Sequence, residues 1–171
     1  MKFLIPKLVL LFVCCVGSIG DSHHANASDT IEMTNPDGLV MATVSLNAQS
    51  ELAYEVQWKE NIVIEPSSLG ITVDDVDFGK AVRLGNTKQS SHDETYVTRG
   101  VHAKARNHYN KTTIPVMHAA SGKQCKLEFR IYNDGVAYRY VVESDEVQHV
   151  NGESSSWKLT SGQEYGDIVL I

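Results

Sequence analysis

Cysteine is scarce in this chain and badly placed for crosslinking. Of three in 171 residues, Cys14 and Cys15 fall at the very start, so Cys125 has no partner in the remainder and an intrachain disulfide framework is excluded. Stability has to come from an apolar core. Long hydrophobic runs are missing too: the stretch from Leu8 to Val16 is far short of the roughly 20 residues a membrane-spanning helix needs. Basic charge is outweighed, with 15 Lys and Arg against 21 Asp and Glu and a net charge of −6. A phosphate backbone would find little to neutralise it, which argues against nucleic acid as a partner. No segment keeps an apolar period of 3.6 residues, and no internal repeat or low-complexity tract is present, so helical bundles and solenoids drop out.

What is present begins with the layout of an export signal. Lys2 and Lys7 precede the short apolar run, and small residues follow it at Ser18-Ile19-Gly20 and Ala25-Asn26-Ala27. The second site is preferred, which makes residues 1–27 a signal peptide, residues 28–171 the mature domain, and the expected location secreted or periplasmic, with no membrane association after cleavage. Lipidation at Cys14 or Cys15 is disfavoured because Phe12-Val13 lacks the small residue such processing wants. A domain of this size buries roughly two thirds of its unfolded surface around one core.

Glycine, proline and asparagine punctuate the mature part about every ten residues, and the stretches between are rich in Val, Ile, Thr and Tyr of alternating polarity. That spacing predicts an all-β, antiparallel sandwich. Asn35-Pro36-Asp37-Gly38 is a turn signal. Val40, Ala42, Val44 and Leu46 then alternate with polar or smaller neighbours, and Tyr54, Val56 and Trp58 do the same, as neighbouring strands with one buried face would. Pro66 to Gly70 reads as a loop. Leu127, Phe129 and Ile131, then Asn133-Asp134-Gly135, then Val136, Tyr138 and Tyr140 predict a tight hairpin in which the glycine takes a positive φ. Ser154 to Leu159 reads as a strand, Gly162 to Gly166 as a turn, and Asp167 to Ile171 as an apolar strand that needs a cover. The reading is of a sandwich incomplete at its C-terminal end.

Several residue groups could carry chemistry, and each has a blander reading. Asp74, Asp75 and Asp77 offer oxygens but lack the glycine and distal glutamate of a calcium loop, so a solvated turn is expected. His102, His108 and His118 match no common zinc spacing. Ser90-Ser91-His92-Asp93 has the residue types of a hydrolytic triad, yet consecutive residues cannot line up nucleophile, base and acid. Tyr132, Tyr138, Tyr140 and Trp157 could form a sugar platform, although strand aromatics more often fill cores. Catalytic residues and metal ligands are therefore assigned to none.

Six segments, in order, resemble the N-terminal β-supersandwich of glycoside hydrolase family 97: Asn35 to Gly38, Tyr54 to Trp58, Ser68-Leu69-Gly70-Ile71, Asp77-Phe78-Gly79, Arg106-Asn107-His108-Tyr109-Asn110, and Phe129 to Tyr140. The last two are the specific ones, and the match runs from about Thr30 to about Leu159. The resemblance implies a secreted α-glycosidase acting on α-glucosides or α-galactosides, with calcium in the full-length family and no cofactor held by this chain. It further implies that the catalytic carboxylates belong to a (β/α)₈ barrel of roughly another 250 residues, which would be this domain's partner. Lys111 stands where the family usually has glutamate. Arg106, His108, Tyr109 and Asn110 are the candidate carbohydrate-binding or barrel-facing residues, against the alternative of a loop pinned by its own hydrogen bonds. Two functions follow as expectations: a non-catalytic domain of a glycosidase, or a free-standing carbohydrate-binding protein.

Overall fold

Alternation of apolar and polar side chains becomes pairing in the computed structural model, which describes residues 30–99 and 103–161. The signal segment, His102, and the turn and strand expected at 162–171 lie outside the described residues. Thirteen strands and no helix are found within them.

The first sheet is antiparallel and runs β1 (Thr30–Thr34), β2 (Val40–Leu46), β3 (Leu52–Trp58), β4 (Asn61–Ser68) and β13 (Lys158–Leu159). Val40, Ala42 and Val44 of β2 face inward opposite Trp58, Val56 and Tyr54 of β3, as their spacing predicts. The turn before β2 closes on Asn35, whose Oδ1 accepts the N–H groups of Leu39 and Val40 at 2.7 and 2.9 Å. Gly38 there adopts a φ of 70°, which costs a glycine little.

The second sheet places β11 (Val136–Val141), β10 (Gln124–Tyr132), β9 (Lys104–His118) and β7 (Val82–Leu84) side by side, and β8 (Lys88–Val97) takes the rest of the edge of β9 that β7 leaves. The β10–β11 hairpin forms in the expected register, with Phe129 opposite Tyr138. Its glycine behaves differently from expectation: Gly38 and Gly122 hold positive φ, whereas Gly135 does not, and the loop closes with the Tyr132 N–H donating to Gly135 O at 2.8 Å. Between the two sheets Leu127, Phe129, Ile131, Ile114 and Val116 pack against Val44, Tyr54 and Leu52, all of them buried. Large side chains of this kind contribute roughly 1.5–3 kcal/mol each when fully buried.

A small third sheet, β12 (Val150–Glu153), β5 (Ile71–Val73) and β6 (Val76–Asp77), closes one side. It explains why the Ser68-Leu69-Gly70-Ile71 and Asp77-Phe78-Gly79 segments belong together. Phe78 N–H donates to Ile71 O at 2.9 Å, and a Cβ on Gly79 would meet Leu69 O at 2.6 Å and the Gly70 Cα at 2.8 Å. Backbones touch there, and only glycine permits it.

Two boundaries differ from expectation. Pro66 belongs to β4 instead of starting a loop, because the register with β3 shifts between Tyr54 and Val56 and the extra residue forms a bulge, where proline's missing N–H does no harm. Of Ser154 to Leu159, only Lys158–Leu159 is a strand. Residues 154–157 run alongside as a strap, Ser154 and Ser156 donating N–H groups to Gly70 and Ser68 carbonyls at 2.9 Å each.

Candidate functional site

Arg106 to Asn110 do not form a loop. They lie in the 15-residue strand β9, where all five pair with β8 and Tyr109 and Asn110 also pair with β10 on the other edge. The run lacks the apolar alternation of a buried strand at this end, which is why spacing alone did not reveal it.

Directly opposed residues of an antiparallel pair share a face. Asn110 opposes the core residue Ile131 and Thr112 opposes Phe129, so Arg106, His108 and Asn110 continue the inner face. Tyr109 opposes Tyr132 and His92 and lies on the outer face. The four candidates are thus divided three to one.

The inner-face group forms a polar end to the sandwich. Asp93, opposite His108, accepts both Nε and Nη2 of Arg106 at 2.8 and 2.7 Å. That guanidinium holds the Asp93 carboxyl below its ordinary range, and Asp93 in turn raises Arg106, to which the Asp37 carboxylate also contributes. Asn110 Nδ2 donates to Thr34 O at 2.9 Å. The buried Asn35 donates from Nδ2 to Asn133 Oδ1 at 2.7 Å, and Asn133 Nδ2 donates to Asp37 Oδ2. Two turns distant in sequence and strand β9 are thereby tied together. Sequence reasoning named Asp37 and Asn133 only as turn residues and Asp93 only in a rejected triad, and joined none of them to Arg106. The signal was there in the two turn motifs, but nothing local says they meet.

On the outer face, the rings of His92, Tyr109 and Tyr132 follow one another across β8, β9 and β10 at 5.0 and 5.1 Å. Arg130 lies over Tyr109, its Cζ 4.9 Å from the ring centroid. Tyr138, by contrast, turns inward onto Tyr54 and Phe129 with Tyr140 edge-on against it, and Trp157 sits half-exposed on the strap, so the four aromatics singled out from sequence form no single platform. Burial raises the hydroxyl pKa of Tyr54 and Tyr140, and pushes the Cys125 thiol up to about 12.

The remaining candidates are engaged locally. Asp74 Oδ1 accepts the His149 N–H at 3.0 Å, Asp77 Oδ1 accepts that of Gly79 at 2.8 Å, and His118 Nδ1 lies 2.9 Å from Ser121 Oγ. Among the described residues no three His, Cys, Asp or Glu side chains gather as a metal site. Ser90 to Asp93 lie along β8, side chains alternating between faces, as a strand requires.

Comparison with known proteins places this architecture. The family model described as Glycosyl-hydrolase 97 N-terminal matches residues 33–165. A retaining alpha-galactosidase of Bacteroides thetaiotaomicron is 28% identical over 157 residues, covering 91% of this chain and 22% of the relative. A probable retaining alpha-galactosidase of Streptomyces bingchenggensis is 27% identical, covering 81% and 22%. Among solved structures, a glycoside hydrolase family 97 enzyme from Pseudoalteromonas sp. strain K8, in complex with panose, superposes with a TM-score of 0.68 at 19% identity over 77% of this chain and 20% of that one. A beta-arabinopyranosidase superposes at 0.70 with 21% identity, over 76% and 21%. The chain spans about a fifth of the length of these relatives. Matched over most of its length, the chain belongs to the glycosyl-hydrolase 97 N-terminal family.

Proposed function

We propose that this chain is the non-catalytic, carbohydrate-associated N-terminal domain of an exported family 97 α-glycosidase, where it packs on a catalytic barrel and shapes the sugar cleft. The observation that carries the reading is the alignment of nearly the whole chain with about a fifth of two alpha-galactosidases. The polar end built from Asp37, Asp93, Arg106, His108, Asn110 and Asn133 is the surface proposed to meet the barrel. It is polar and charged, with Asp93, Arg106, His108 and Asn110 carried on the β8–β9 pair. Interfaces between domains of one chain are commonly polar in this way.

Two measurements test this. Residues 28–171, purified, release no nitrophenol from nitrophenyl α-galactoside or α-glucoside; release would overturn the non-catalytic reading. In a polypeptide joining this domain to a family 97 barrel, Arg106→Ala raises KM or loosens the domain contact, while the isolated domain keeps its denaturant midpoint because the Arg106–Asp93 pair is exposed and screened by water. Unchanged kinetics and unchanged domain contact in that fusion would remove the polar end from the barrel interface.

A second reading, a free-standing carbohydrate-binding protein, draws on the half-exposed Trp58 and Trp157. It requires retention on an immobilised α-glucoside or α-galactoside gel that Trp58→Ala or Trp157→Ala reduces.

A further inference from the structure

The outer face of the second sheet carries a depression that neither reading uses. Its origin lies in side-chain size. Beside the hollow the outward positions on β11 are Ala137 and Arg139, and the neighbouring outward positions on β10 are Tyr132, Arg130 and Glu128. Alanine leaves a low floor where tyrosine and arginine raise a wall. The resulting hollow of about 190 Å³ is lined by Glu128, Arg130, Tyr132, Ala137, Tyr138 and Arg139. It is smaller than the roughly 300–1,000 Å³ of pockets that enclose drug-sized ligands, so it suits one ring more than a chain.

Its charge is unlike that of the whole molecule. Glu128 is matched twice over, by Arg139 through Nε at 2.8 Å and Nη2 at 2.7 Å, and by Lys111 Nζ at 3.6 Å. Among the described residues no carboxylate forms an ion pair with Arg130, whose guanidinium is held flat over Tyr109. Three cations therefore stand around one carboxylate on a chain of net charge −6. Arg130 shares a side-chain hydrogen bond with Tyr132, which leaves the rest of its fork to meet a planar anion, and Tyr132, buttressed by Tyr109 at 5.1 Å, sets an aromatic wall beside it. We propose that this hollow is a binding site for an acidic sugar, a pyranose ring carrying a carboxylate, with the ring against Tyr132 and the carboxylate on the edge of Arg130. The proposal does not depend on the domain's role beside a barrel.

Titration of the full chain with a galacturonic acid disaccharide, followed by NMR or calorimetry, tests it against the same disaccharide as its methyl ester, which keeps the ring and removes the charge. The acid saturates with a Kd in the millimolar range, and the ester binds about tenfold more weakly or worse. Tyr132→Ala and Arg130→Gln each weaken the acid about tenfold with the melting temperature unchanged. Equal binding of acid and ester, no saturation by roughly 100 mM, or an acidic peptide that binds the same face as tightly would each overturn the assignment. Should either variant fail to fold, the comparison of acid with ester on the natural chain still decides.

Discussion

Glu128 shows how one side chain's surroundings set its chemistry. Its side chain is only 12% exposed, between Arg139 and Lys111. Burial by itself pushes the carboxyl up, but the hydrogen bond from Arg139 and the charges of both cations outweigh it and hold the group below its ordinary 4.5. A carboxyl depressed on folding adds stability that is complete above its unfolded pKa and is lost as pH falls through the lower, folded one. Glu128→Gln is therefore expected to cost about 1 kcal/mol at neutral pH, with the gap to the natural chain closing in acid below the unfolded carboxylate range. Urea melts across pH 3 to 7 check it; a gap constant with pH would show that the charge does not contribute. Sequence alternation put Glu128 on a face opposite the core, but not between those two cations, because Arg139 and Lys111 arrive from separate strands.

At the scale of elements, turns are anchored by side chains as much as by backbone. Asn35 is buried and its side chain makes three hydrogen bonds, two to the backbone of its own turn and one to Asn133 in the β10–β11 turn. Asn35→Ala leaves the buried Val40 N–H and the more exposed Leu39 N–H short of a partner and should destabilise the domain by about 1–3 kcal/mol, read as a shift in the denaturant midpoint at constant slope. Asn35→Asp, which keeps the acceptor, should recover most of that. Strands β2, β3, β10 and β11 were legible because each has one face buried by the other sheet, so their polarity alternates. Strand β8 was not: nine of its ten residues are exposed, neither face meets the core, and no alternation records it. The same holds for the Arg106 end of β9, which pairs with it and was expected as a loop.

Across the whole molecule, protection should follow this gradient. Central strands β9 and β10 are bonded on both edges, whereas β8 is an edge strand and β13 a two-residue one. Hydrogen exchange is expected to be slowest in residues 110–117 and 125–131, and fastest in 88–97 and 158–159. Uniform protection across β8 and β10 would mean that the hairpin is covered.

The sequence by itself determined the all-β class, the antiparallel sandwich, the β10–β11 hairpin and the family, since period-two polarity and turn chemistry are local and survive in one dimension. Tertiary structure alone decided which residues meet. It put Tyr109 on the opposite face from Arg106, His108 and Asn110, joined the Asn35 and Asn133 turns, and gathered Arg130, Tyr132 and Arg139 around Ala137. The reason is register: sliding β9 one residue against β10 would exchange its two faces, and what holds it in place is the burial of Ile114 and Val116 in a core that no single segment describes.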